Sequence, residues 1–137
     1  MMEPPLVPGN LPEGWYDLKI NPGVDENHPG IYQWEIAGIG SYIGKYKRIS
    51  RPKKRYGRNV SRILRGDPYW PSKRDGFRHI HRVLAAAYSA GLQITLTILE
   101  NVDPSAINGR ERELIADRGN LNVPPFGKSI TERRGRD

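Results

Sequence analysis

The sequence predicts a mixed α/β (α+β) fold, in which a small three-stranded antiparallel sheet is flanked by helices in the order ββααβα. Three observations support this prediction. Segments 30–36 and 41–46 are short and apolar-rich, and a glycine-containing turn joins them, as in a β-hairpin. Residues 92–99 alternate between aliphatic and polar side chains, which is typical of a strand with one buried face. In the remaining segments, apolar residues recur at helical spacing or follow helix-capping residues.

The length of 137 residues fits a single domain. Residues 1–28 are rich in proline, glycine and asparagine, and we expect them to form an N-terminal extension that lies against the sheet. Within it, residues 15–20 alternate as in a short strand. We assign residues 29–127 to the folded domain. Residues 128–137 are basic and lack apolar periodicity, so we expect a flexible tail.

The register of the predicted hairpin decides which side chains share a face. If Ile36 pairs with Gly40, Tyr32 and Tyr42 point to the same face of the sheet. A two-residue turn would instead place the two tyrosines on opposite faces. A site that contains both tyrosines therefore predicts an odd-numbered loop, either bulged or of three residues.

Capping residues predict where three helices begin and end. The first begins after Ser50 and ends at Gly66, and the second spans residues 75–90 with its first residue, an aspartate, as the cap. The third begins at Asp103, which a proline follows, and ends at Gly119. Apolar stripes predict the buried faces of the first two helices, formed by Tyr56, Val60, Ile63 and Leu64 and by Phe77, Ile80, Leu84 and Ala87.

The charge distribution favours a polyanionic partner. Lysine and arginine total 22 against 15 acidic residues, which gives a net charge of +7. The excess is concentrated in residues 45–65, which include many basic side chains and no acidic one, interleaved with Tyr46 and Tyr56. A basic face of this kind is typical of proteins that bind nucleic acid.

Composition also excludes several classes of site. Because the chain has no cysteine, disulfides and thiolate metal sites are ruled out, and a metal would be bound through oxygen or imidazole ligands. No apolar run approaches the roughly 20 residues of a membrane helix. The first residues lack the basic and apolar parts of a signal peptide. We therefore expect a cytoplasmic protein with no membrane partner.

Five short motifs occur in order along the chain. Residues 30–32 read Gly-Ile-Tyr and residues 42–44 read Tyr-Ile-Gly. Residues 54–59 are a Lys-Arg-aromatic run, residues 110–115 carry two glutamates among arginines, and residues 121–122 are Leu-Asn. Together they resemble the GIY-YIG nucleases, metal-dependent enzymes that hydrolyse phosphodiester bonds. The resemblance covers residues from about 30 to about 127.

The resemblance implies catalytic roles for residues of the hairpin and the first helix. Tyr32 would hold or deprotonate the attacking water, and Tyr42 would hydrogen-bond the phosphate or the water. Deprotonation by Tyr32 requires Lys45 or Arg55 to lower the phenol's pKa from its usual value of about 10. Lys45 follows the second motif directly, as in the family's excision-repair members. Arg55 would contact the scissile phosphate, with Arg58 or Arg62 as alternatives.

The third helix and the segment after it supply the other implied roles. Glu113 would ligate one Mg²⁺ or Mn²⁺ ion. Asn122 would position catalytic groups or line the site, and Asn120 competes for that role. One position departs from the family pattern: Asn59 stands where homing members have histidine and excision members have tyrosine, and an amide cannot take a proton.

The remaining basic residues are candidates for contacts with nucleic acid. Tyr69 and Trp70 would either stack on a base or close the core between the first two helices. The predicted nucleic-acid-binding residues are Lys47, Arg48, Lys53, Arg58, Asn59, Arg62 and His79.

These observations predict an endonuclease that hydrolyses DNA, with RNA not excluded. Without a second DNA-binding domain, sequence specificity would require a homodimer or a partner protein. The competing interpretation is a catalytically silent module that binds nucleic acid through the same basic face, which Asn59 keeps open. A basic adaptor protein without a nucleic-acid role would explain the charge but not the ordered motifs.

Overall fold

A computed structural model of the protein describes residues 11–12, 14–70, 72–73 and 76–122. The predicted cap at Asp75 and the predicted tail at 128–137 lie outside these ranges. Within them, the chain forms the elements β1 Asp17–Ile20, β2 Gly30–Ile36, β3 Gly40–Tyr46, α1 Ser50–Arg65, α2 His79–Ser89, β4 Ile94–Asn101 and α3 Ile107–Arg118. None of the described helices is long and apolar enough to cross a membrane.

The fold is a mixed α/β domain, but its sheet differs from the predicted one. The sheet has four strands in the order β1-β4-β2-β3, with β1 parallel to β4 and the other pairs antiparallel. The predicted three-stranded antiparallel sheet and the order ββααβα are therefore wrong. The additional strand, β1, is only four residues long and is exposed along its length. Residues 15–20 alternate as a short strand would, but β1 pairs with residues almost eighty positions away, so the local pattern did not show its place in the sheet.

The register of the β2–β3 hairpin is the predicted one. Ile36 pairs with Gly40, so the loop between the strands has three residues, and Gly38 within it has a left-handed φ of 79°. Tyr32 pairs with Gly44, and Tyr42 pairs with the residue two positions after Tyr32. Both tyrosines therefore lie on the same face of the sheet.

Both faces of the sheet are covered. On one face, the main core joins residues of β2 and β4 to α1 and α2, with Trp34, Tyr56 and Leu84 almost fully buried. The N-terminal extension packs on this same face, where the Trp15 ring stacks on Trp34 with centroids 5.5 Å apart. On the opposite face, α3 packs on the hairpin through a smaller cluster of Ile31, Ile43 and Leu114.

The first helix ends as predicted, whereas two other helices begin later than expected. α1 ends at Arg65, and Gly66 follows with a left-handed φ of 81°. Ser50 is the first helical residue of α1 and not its cap. α2 begins at His79 instead of residue 75, and α3 begins at Ile107 because a turn follows Asp103. The later start of α2 leaves Arg78 in the residue position before the helix, which matters for the site.

Candidate active site

A cleft of about 540 Å³ opens beside β3, the strand at one edge of the sheet. It is lined by tyrosines, basic side chains and a single carboxylate among the described residues. The polar lining residues are Tyr32, Tyr42, Tyr46, Tyr56, Lys45, Lys47, Arg55, Arg78, Asn108 and Glu111. Four of the predicted catalytic residues, Tyr32, Tyr42, Lys45 and Arg55, therefore line one cleft.

The glycines of the two hairpin motifs have a steric role at this cleft. The Tyr32 ring lies directly over Gly44, and a Cβ at Gly44 would collide with the Cζ and Oη atoms of Tyr32. A Cβ at Gly30 would collide with the main-chain oxygen of Glu100 on β4. Gly44 therefore makes room for the tyrosine of the first motif, and Gly30 allows the close approach of β2 to β4.

Tyr32 is buried and keeps its proton. Its side chain is 4% exposed, and its hydroxyl forms a 2.8 Å hydrogen bond with the hydroxyl of Tyr56. Burial first, and then the neighbouring Tyr42, raise the pKa of Tyr32 above its ordinary value. A lowered pKa was the condition for Tyr32 to act as a base. The geometry is instead that of a neutral phenol that orients a water molecule or a phosphate oxygen.

Arg78 was not identified from the sequence, yet it crosses the cleft. Its Nη1 donates to the Tyr42 hydroxyl at 3.3 Å, and its Nη2 donates to the Tyr56 hydroxyl at 3.5 Å. The guanidinium carbon lies 6.0 Å from the centroid of the Tyr56 ring. Arg78 is the residue before α2, and because the sequence predicted a helix already running at this position, nothing marked its side chain as part of the site.

A buried histidine holds the main chain of Arg78. The Arg78 N–H donates to Nδ1 of His81 at 3.0 Å, which caps the first turn of α2. The other ring nitrogen, Nε2, lies 3.4 Å from the amide of Asn59. Burial, and then the nearby cations, lower the pKa of His81 to about 3. Asn59 itself is 2% exposed, so this amide faces the core and not the surface that would meet nucleic acid.

The carboxylate in the cleft is Glu111 and not Glu113. Glu111 Oε1 lies 3.9 Å from Lys45 Nζ, and the same ammonium donates to Asn108 Oδ1. Burial raises the pKa of Glu111, while Lys45 opposes that shift. Glu113 is 68% exposed and forms a 3.0 Å ion pair with Arg110, away from the cleft.

Helical spacing explains the difference between the two glutamates. Glu111 is three residues before the buried Leu114, so both lie on the face of α3 that meets the hairpin. Glu113 is adjacent to Leu114 and points in a different direction. The placement of Glu113 as a site residue is therefore not supported, and the buried leucine was the signal that would have selected Glu111.

Asn120 and Asn122 bind the exposed edge of β3 and do not line the cleft. Asn122 accepts the Ile43 N–H at 2.9 Å and donates to the Ile43 carbonyl at 3.0 Å. Asn120 accepts the Ser41 N–H at 2.8 Å. The two amides thus satisfy the main-chain groups that an edge strand leaves unpaired. Asn122 acts on the site only by holding β3.

The predicted nucleic-acid-binding residues lie at several places around α1. Lys47 lines the cleft, and Arg48 is exposed beside it. Lys53 lies 3.8 Å from Glu26, and Arg58 lines a second depression with Lys53 on α1. The side chains of Lys47, Arg48 and Arg58 are all exposed.

The other predicted contacts differ in their surroundings. Arg62 lies with its guanidinium carbon 5.7 Å from the Trp70 ring, and it donates to the Tyr69 carbonyl. Trp70 is 55% exposed, so it does not close the core. His79 is exposed at the first position of α2.

Two further findings bear on the site: the grouping of possible metal ligands among the described residues, and the comparison of the chain with known proteins. Among the described residues, no three histidine, aspartate or glutamate side chains are grouped so that they could hold a metal ion. Comparison of the chain with protein-family models, curated proteins and solved structures finds no match in any of the three.

Proposed function

We propose that this protein is a metal-dependent endonuclease that hydrolyses phosphodiester bonds of DNA, with an active site similar to that of GIY-YIG nucleases. One observation carries the proposal. Tyr32, Tyr42 and Lys45 of the hairpin line the same cleft as Glu111 of α3, so residues about seventy positions apart converge on one opening. The convergence joins aromatic hydroxyls, a cation and a carboxylate, which in phosphodiester hydrolysis can orient a water, stabilise the negative charge of the phosphate and hold a metal ion.

Glu111 fits the ligand role for one Mg²⁺ or Mn²⁺ ion. Its carboxylate is 22% exposed and faces the cleft. Mg²⁺ commonly binds through one or two carboxylates and retains several waters, so the absence of a multi-carboxylate group from the described residues does not conflict with this role. When bound, such an ion would polarise a phosphate oxygen and make water a stronger nucleophile.

The chain's own residues would position the reactants around this carboxylate. Lys45 lies beside Glu111, where its positive charge would stabilise a phosphate that becomes more negative during the reaction. Tyr32 and Tyr42 present hydroxyls that orient the water or a phosphate oxygen. Since burial keeps Tyr32 protonated, its contribution is orientation and hydrogen bonding and not general-base catalysis.

Exposed basic residues in the cleft and beyond it suit contacts with the phosphates of a long substrate. Lys47, Arg48 and Arg58 are the candidates that reach the surface of α1 and the segment before it. Phosphate contacts make affinity depend on salt and not on base sequence. We therefore expect cleavage with little sequence preference unless a homodimer or a partner protein adds base contacts.

The test is the cleavage of supercoiled plasmid with Mg²⁺, with Mn²⁺ or with EDTA. We expect the wild type to nick or linearise the plasmid only with metal. Glu111→Gln should lower the rate by at least about 100-fold. Glu113→Gln is the matched control, because it changes the same side chain on the same helix outside the cleft, and it should stay within about 2-fold of wild type.

A silent nucleic-acid-binding module is the second candidate. It is favoured by the burial of Tyr32 and Tyr56, which raises the pKa of both phenols and leaves neither as a base for water. Salt-sensitive binding of plasmid without cleavage under any metal would establish this module and refute the nuclease. Cleavage that Glu111→Gln leaves intact would refute the assigned site.

A further inference from the structure

We infer that Arg78, at the start of α2, supplies the guanidinium that binds the scissile phosphate, in place of an arginine of α1. The inference rests on the proposed function and adds the group that recognises the reacting phosphodiester. The sequence directed attention to Arg55 of α1. The geometry of the cleft instead favours an arginine from a different element.

The positive charge of Arg78 has no acidic partner among the described residues. Its two terminal nitrogens donate to the hydroxyls of Tyr42 and Tyr56. Among the described residues, no carboxylate lies within ion-pair distance of Arg78. Guanidinium has five N–H donors in a fork that matches phosphate oxygens, and two phenols leave several of them unused. An anion that enters the cleft would complete this donor set.

Arg78 is held in place by hydrogen bonds before a substrate enters the cleft. Its main-chain N–H is bound by the buried His81, and its side chain is bound at both terminal nitrogens. Arg55 also lines the cleft, but its guanidinium makes no hydrogen bond or ion pair with the described residues. An arginine that is ordered before the substrate arrives loses less conformational entropy on binding phosphate than an unanchored one.

Arg78 lies among the other polar groups that line the cleft. Tyr42 and Tyr56, which hold the guanidinium, are in turn linked to Tyr32 through its 2.8 Å hydrogen bond with Tyr56. Arg78 and the Glu111 carboxylate line the same cleft. A phosphate bound to Arg78 would therefore lie near both the orienting hydroxyls and the carboxylate that would hold the metal.

The experiment combines two measurements on the full chain. Binding of inorganic phosphate is measured by calorimetry, and plasmid cleavage with Mg²⁺ is measured as kcat. Arg78→Gln should weaken phosphate binding by at least about 10-fold and lower kcat by at least about 100-fold. Arg82→Gln is the matched control, because Arg82 lies on α2 outside the cleft, and it should stay within about 3-fold of wild type in both measurements. Arg55→Gln should be less impaired than Arg78→Gln in both measurements.

A second variant separates recognition from folding. Arg78→Lys retains the positive charge but loses the planar fork, so it should keep part of the phosphate affinity and still lose kcat by about 10-fold or more. Thermal unfolding of each variant identifies any that does not fold. If Arg78→Gln does not fold, Arg78→Lys decides the question by the same comparison with Arg55→Gln.

The outcomes distinguish this inference from the proposed function. Wild-type protein that binds phosphate through Arg78 but never cleaves DNA would uphold the inference and refute the nuclease. Wild-type protein that cleaves DNA, with Arg78 variants as active as wild type or with Arg55→Gln the more impaired, would overturn the inference and leave the nuclease standing. Wild-type protein that neither binds phosphate nor cleaves DNA would overturn both.

Discussion

The buried imidazole of His81 predicts a specific loss of stability in acid. His81 is 2% exposed and accepts the main-chain N–H of Arg78 through Nδ1, so the neutral ring is the form that the fold uses. Burial is the largest cause of its lowered pKa, and Arg78, Arg55 and Arg82 add to it, which brings the pKa to about 3. A protonated His81 ring could no longer accept the Arg78 N–H, and its positive charge would lie uncompensated among these cations.

The sign and size of the effect follow from proton linkage. In the unfolded chain the imidazole has a pKa of about 6.5, so below that pH the unfolded state binds a proton that the folded state refuses. The free energy of unfolding therefore falls as the pH falls from about 6.5 toward 3, by about 1.4 kcal/mol per pH unit. Between about pH 7 and about pH 5 the loss due to His81 is about 2 kcal/mol.

Urea unfolding of wild type and His81→Gln at about pH 7 and about pH 5 measures this loss. Glutamine is the matched replacement, because a glutamine at the third helical position is a standard capping-box residue and does not titrate. We expect the wild type to lose about 2 kcal/mol more than the variant between the two pH values. Since the other titrating groups are common to both proteins, equal losses would refute the reasoning, whatever the absolute stabilities.

Further predictions concern the hairpin and its edge. Gly44→Ala forces the Tyr32 ring out of place, so it should cost about 1–3 kcal/mol of stability and lower plasmid cleavage by at least about 10-fold. Gly57→Ala is the control within α1, because its Cβ would make only an ordinary contact with Trp15, and it should stabilise the fold by about 0.5–1 kcal/mol. Unchanged cleavage in Gly44→Ala would contradict the steric role of that glycine. Asn122→Ala leaves the Ile43 main chain unpaired and should cost about 1–3 kcal/mol in urea unfolding while phosphate affinity stays within about 3-fold of wild type. A large loss of phosphate affinity with little loss of stability would instead place Asn122 in the site.

The hairpin could be predicted from the sequence because strand geometry has a fixed period of two. Requiring Tyr32 and Tyr42 to share a face left only an odd-numbered loop, and the pairing of Ile36 with Gly40 is of that kind. The place of β1 in the sheet could not be predicted in the same way. Its four residues are exposed, and its partners on β4 are distant in sequence, so its pairing depends on the tertiary fold.

The helix starts show why local capping signals were insufficient. Asp103 followed by a proline is a common helix start, but here a turn follows and α3 begins at Ile107. α2 begins after Arg78 and is capped by a histidine side chain from its own first turn, which is not among the usual capping residues. The resemblance favoured Glu113, whereas the face of α3 that carries the buried Leu114 selects Glu111, which lies about 200° away from Glu113 around the helix.

The location of the cleft at an edge strand explains how its chemistry is assembled. Along β3, Tyr42 and Gly44 point to the face covered by α1 and α2, whereas Lys45 points to the face covered by α3. In a central strand, a neighbouring strand would separate groups on the two faces. Among the described residues, β3 has no strand on its outer side, and the amides of Asn120 and Asn122 cover that edge only as far as Ile43. Beyond Ile43, none of the described residues pairs with the edge, so tyrosines from one face and the Lys45–Glu111 pair from the other reach the same cleft.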